Sequence, residues 1–188
     1  MSEVRGLNAS VRLALKDMLA NRMVGTRDLK TAKDINKLST EEQKQRVANG
    51  ISSMFYYVAP PTRGEVYRRT EEGAANDKKR LEESGMVDAK GKPISLEAIR
   101  AEYVDAIREA KGKHNESVSK IEDEADLEGT KGKSPERTGY FKVGETVFKF
   151  KWAVESETNY EMEDPGERSA YYYDTLNPRI DPKSIELA

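Results

Sequence analysis

Phe55-Tyr56-Tyr57-Val58-Ala59-Pro60-Pro61-Thr62-Arg63-Gly64-Glu65-Val66-Tyr67-Arg68-Arg69-Thr70 is the stretch on which the reading of the first seventy residues turns. Its opening is aromatic and β-branched, a composition that favours a pleated strand over a helix end. Pro60 and Pro61 lack the backbone N–H that a ladder needs, so they are expected in a turn or at a sheet edge. Gly64 completes the bend, and Glu65–Thr70 is expected to return as a second strand. Arg63, Arg68 and Arg69 would then stand on a basic hairpin.

Upstream, apolar residues recur at helical spacing. Leu7, Val11, Leu15, Met18 and Leu19 share one face of a first helix, expected to start near Asn8 or Ser10. Thr31 and Asp34 form a capping pair for a short second helix with Ile35 and Leu38 inside. Ser39 and Glu42 form an S-x-x-E capping box for a third, whose Val47, Ile51, Met54 and Phe55 form the buried stripe. Gln45, Arg46, Asn49, Ser52 and Ser53 lie off that stripe.

Three short helices followed by a basic strand–turn–strand resemble the winged helix-turn-helix superfamily over about residues 8–70. The resemblance implies a third helix that enters a DNA groove and a wing that touches phosphates. Gln45, Arg46, Asn49 and Ser52 on the helix, with Arg63, Arg68 and Arg69 on the wing, are the implied contacts. Arg suits guanine, Asn and Gln suit adenine, and wing arginines suit backbone phosphates. The expected partner is duplex DNA.

Residues 71–94 are polar and punctuated by Gly73, Gly85, Gly91 and Pro93, which reads as a linker. Ser95 then caps an amphipathic helical segment over 95–128, in one helix or two. Ile99, Tyr103 and Ile107 share its apolar face. A narrow stripe of this kind is expected to meet a protein partner or a second copy of the chain, with packing onto the chain's own core as the alternative.

Gly129–Arg137 has the composition of a flexible connector and lacks the G-x-x-x-x-G-K-[ST] spacing of a phosphate loop. Residues 138–154 carry the strongest strand signal. Phe148, Phe150, Trp152 and Val154 alternate with Lys149, Lys151 and Ala153, and Gly144-Glu145 is the expected turn of a β-hairpin. Residues 155–188 are acidic and Tyr-rich, interrupted by Pro165, Pro178 and Pro182. This reads as an extended arm lying on a surface through Tyr171, Tyr172 and Tyr173. The expected fold class is α+β: a winged-helix-like domain over 1–70, the helical segment, the hairpin and the arm.

Charge alternates along the chain. Residues 1–70 hold 13 Lys/Arg against 7 Asp/Glu, whereas residues 155–188 hold 3 against 9. The absence of cysteine excludes disulfides and thiolate chemistry. His114 is the single histidine, set between Lys113 and Asn115, and is expected to be solvated. With no metal-ligand spacing, no nucleophile motif and no cofactor signature, no catalytic residue, metal or cofactor is assigned and no enzyme is expected. No run approaches the roughly 18 apolar residues of a membrane span, so a cytoplasmic protein away from membranes is expected. The leading expectation is a non-enzymatic DNA-binding or DNA-associated protein. The alternative is an assembly or inhibitory protein, such as a phage-type component, that docks through its helical segment and C-terminal arm.

Overall fold

Val11, Ala14, Leu15 and Met18 put one stripe of α1 (Leu7–Ala20) wholly into the core. In this computed structural model, residues 6–21, 25–58, 85–162 and 170–188 are described. The helix begins a little before Asn8 and Ser10, which therefore lie inside it rather than capping it. Its amphipathic stripe packs on α3 (Thr40–Val58), with the short α2 (Ala32–Asn36) alongside.

The two capping pairs form as the sequence implies. Asp34 Oδ2 accepts from the backbone N–H groups of Lys30 and Thr31 at 2.9 and 3.0 Å. Glu42 Oε2 accepts from Ser39 N at 2.8 Å, and Ser39 Oγ accepts from Glu42 N at 3.2 Å. Gln43 is buried between the two helices and donates to the carbonyls of Ile35 and Leu38, closing the C-terminal end of α2.

The expected strand at Phe55–Ala59 does not form: α3 remains helical through Val58. The reason is tertiary. Phe55 is buried against Trp152 at 4.7 Å between ring centroids and against Tyr103 at 5.5 Å, and this aromatic cluster holds the helix past its local preference. Pro60, Pro61, Gly64 and the expected return strand lie outside the described residues.

Among the described residues, an antiparallel sheet of six strands forms the second layer. Its strands are β1 (Met86–Val87), β2 (Lys131–Lys133), β3 (Arg137–Val143), β4 (Thr146–Met162), β5 (Ala170–Ile180) and β6 (Glu186–Leu187). β4 is the hub, pairing with β2 and β3 on one side and β5 and β6 on the other; β1 pairs with β3, and its Val87 also bridges to Pro93. The expected hairpin is β3–β4, turning at Gly144 with φ +58°.

Three segments read as connectors or as an arm contain strand. Met86–Val87, within the expected linker, pairs with Tyr140 and Phe141. Lys131–Lys133, within the expected connector, pairs with Glu155–Glu157, because Gly132 permits β2 to lie directly beneath a helix. The expected arm is largely sheet: β4 runs on to Met162, and β5 pairs with it from Ile180 back to Ala170. Pro178 does not break that ladder. The N–H and C=O of its partner Val154 are both bonded to Ser134, so the Val154–Pro178 pair is of the kind that exchanges no hydrogen bonds.

One helix, α4 (Leu96–Val118), spans most of 95–128, followed by a 3-10 turn at Glu124–Leu127. Ser95 Oγ accepts from Ala98 N at 3.2 Å, the expected cap. Ile99, Tyr103, Ala106, Ala110 and His114 are buried along one stripe facing the sheet. A single apolar cluster joins α1, α3 and α4 to Phe141, Phe148, Phe150, Trp152 and Val154. The architecture is therefore α+β, with helices on one face of an antiparallel sheet. No helix among the described residues is long and apolar enough to cross a membrane.

Candidate interaction surface

The implied DNA contacts on α3 are divided by the fold. Arg46 is clamped: its guanidinium binds both carboxylate oxygens of Asp28, the Nη2–Oδ2 bond being 2.8 Å, and donates to Gly25 O at 3.2 Å. That hydrogen bond is the main reason the Asp28 carboxyl is held below its ordinary range and the Arg46 guanidinium above its own. Ser52 faces β5, donating to Pro178 O at 3.5 Å. Gln45 and Asn49 are exposed and bonded to each other at 2.9 Å. Arg63, Arg68 and Arg69 lie outside the described residues.

The helical partner face is spent within the chain. Ile99 and Tyr103 are buried and Ile107 packs against the same cluster, because the stripe lies on the sheet's aromatic face. Arg137 strengthens the junction, with Nη2 3.3 Å from Glu109 and its guanidinium 6.0 Å from the centre of the Trp152 ring.

His114 was expected in solvent and is only 2% exposed. Its Nδ1 lies 2.6 Å from Ser156 Oγ and its Nε2 2.7 Å from Thr158 Oγ1, while Thr158 donates onward to Asp174 Oδ1 at 2.9 Å. With the Thr158 proton directed to Asp174, Thr158 Oγ1 accepts from the ring at Nε2, and Nδ1 is hydrogen-bonded to the Ser156 hydroxyl. Both ring nitrogens and both hydroxyls are then satisfied. The contact was invisible in sequence because residues 114 and 156–158 are brought together only by the sheet. Ser156 is itself 1% exposed, and the bonds run on through Thr158 to the exposed Asp174, so this chain of groups ties α4, β4 and β5 together.

The sheet's outer face is polar. Lys131 lies 3.8 Å from Glu157, and Arg179 Nη2 donates to Glu155 Oε1 at 3.0 Å. Lys142, Lys149 and Lys151 share this outer face with them, as the strand registers place their positions on one side. Beyond Thr158, β4 and β5 continue as a ribbon to Met162 and Ala170. Tyr160 and Tyr173 are each 40% exposed on it, and the ring of Tyr160 lies 5.1 Å from that of Tyr172. Partial burial, and after it the charge of Glu124, hold the Tyr172 phenol above its ordinary range, with Glu128 and Asp123 contributing to the same negative surroundings. The side chain of Tyr171 lies outside the described residues.

The fold and this surface define an α+β protein with an open, charged sheet face and a tyrosine-bearing ribbon. Comparison with known protein families, with curated proteins and with solved structures finds no match for the chain.

Proposed function

We propose that this chain is a non-enzymatic interaction protein that docks on a protein partner through the far end of its β4–β5 ribbon. One observation carries the reading: tyrosines stand half-exposed on a regular two-stranded ribbon, within a run of acidic residues. Tyrosine supplies a large, stiff contact area at low entropic cost and is enriched in protein interfaces. The helical stripe that would otherwise have served as a docking face is consumed by the core.

DNA association is the second reading, favoured by the lysines of the outer sheet face and by exposed Gln45 and Asn49. It is weakened by the Asp28 clamp on Arg46 and the β5 contact of Ser52. Titration with duplex DNA at two salt concentrations, with light scattering on the same sample, separates the two. Phosphate neutralisation makes affinity fall steeply with salt. Absence of duplex binding at low salt, with a defined oligomer or a complex formed through Tyr160 and Tyr173, supports docking; steep salt-dependent duplex binding that survives Tyr160→Ala and Tyr173→Ala overturns it.

A further inference from the structure

The outer edge of β5 follows the rule set by Pro178. Val154 turns both backbone groups to Ser134, so its partner Pro178 turns its own away from β4, and Pro178 O accepts from Ser52. Antiparallel strands alternate, so Leu176, Asp174 and Tyr172 also direct N–H and C=O away from β4, whereas Asn177, Thr175 and Tyr173 face it. α3 occupies the edge at Pro178. From Leu176 to Tyr172, no described residue pairs with these outward groups.

We infer that the β5 edge from Leu176 to Tyr172 binds an extended, cationic peptide segment of a partner protein by strand addition. The inference rests on the interaction-protein reading and supplies its mode and partner chemistry. Strand addition takes its affinity from main-chain bonds and its selectivity from alternate side chains. Here the alternate side chains are Tyr172, Asp174 and Leu176 on one face, and Tyr173 and Thr175 on the other. Asp174 lies at the middle of the edge. Residues 155–188 hold 9 acids against 3 bases, and Glu124 and Glu128 add negative charge around Tyr172. A second copy is the poorer occupant: a two-fold antiparallel pairing centred on residue 174 sets Asp174 against Asp174, and like charges directly opposite are unfavourable. Charge on an edge strand blocks self-pairing, and a lysine-bearing strand turns the same charge to attraction.

The test uses the full chain and a synthetic probe, acetyl-Lys-Val-Lys-Val-Lys-Val-Lys-amide, read by amide hydrogen exchange. The probe is expected to slow exchange about tenfold or more at Tyr172, Asp174 and Leu176 while leaving Tyr173 and Thr175 unchanged. Leu176→Pro removes an outward donor that the β4 ladder does not use, as Pro178 does natively, and should weaken the probe about tenfold relative to Leu176→Ala. Probe binding without protection at those three amides overturns strand addition but leaves docking on the ribbon intact. No binding at low salt overturns the cationic occupant. Protection that grows with protein concentration in the absence of probe assigns the edge to a second copy and also overturns it. Failure of the interaction-protein reading itself is registered separately, by the duplex titration and light scattering.

Discussion

A Cβ on Gly132 would fall against the backbone nitrogen of His114 and the carbonyl of Ala110, so β2 and α4 approach at a distance only glycine permits. The same close approach brings His114 over Ser156 and Thr158. A backbone contact in one strand thus fixes the position of a side chain in a helix.

Gly132→Ala should therefore lower stability by about 1–3 kcal/mol through overpacking against rigid backbone. Gly112 is its natural control, lying in α4 with open space where a Cβ would go. Gly112→Ala should stabilise by roughly 0.5–1 kcal/mol, because it relieves the helix of glycine's entropy. Urea unfolding midpoints of the two variants should move in opposite directions, and parallel movement would contradict the packing described.

His114→Leu should cost more than the lost bonds alone, since it strands the Ser156 hydroxyl in the interior, while Thr158 keeps its bond to Asp174. Each buried hydroxyl left unsatisfied costs about 1–3 kcal/mol. Combining His114→Leu with Ser156→Ala should recover part of the loss. A double-mutant cycle on denaturant stability measures this, and strict additivity would show that the two side chains are not coupled.

The Asp28–Arg46 clamp sets an acid dependence. Because the folded-state pKa of Asp28 lies below its unfolded value, the clamp's contribution is present above the unfolded value near 4 and is lost as pH falls through the folded value. Asp28→Asn should flatten the loss of stability below about pH 4. Asp34 and Asp88, lowered chiefly by backbone N–H donors, keep the rest of that acid limb. Unfolding midpoints from pH 2.5 to 6 give the slopes, and identical slopes for variant and parent would remove the clamp.

Trp152, the single tryptophan, should emit at short wavelength and resist iodide, being 4% exposed between Phe55, Tyr103 and Arg137. Phe55→Ala should red-shift that emission and cost about 3–5 kcal/mol, as truncating a buried aromatic does. Water-like emission in the parent chain would refute the aromatic junction.

Local signals were legible where local chemistry decides. The Ser39–Glu42 box, the Ser95 cap, the turn at Gly144 and the alternation from Phe148 to Val154 could be read directly, because each depends on neighbours within a few residues. Phe55–Val58 misled because aromatic content favours a strand, while Trp152, distant in sequence, rewards the helix. Residues 155–180 misled because Pro178 looks like a breaker until its pairing parity is known. His114 had no signal at all: its neighbours are Lys113 and Asn115, and its partners lie more than forty residues away.

The hub position of β4 has a consequence for how the chain reaches this state. Ile51 and Phe55 are synthesised about a hundred residues before Trp152 and Val154, the groups that shelter them. At roughly 5–20 residues per second, the helical half waits on the order of 5–20 s with its apolar face uncovered. β2 likewise waits for β4. The sheet then assembles late and almost together, since four strands use the same central partner. Such non-local pairing is slow to nucleate. Refolding should be limited by β4 docking, with the nascent helices the segment most dependent on chaperone cover.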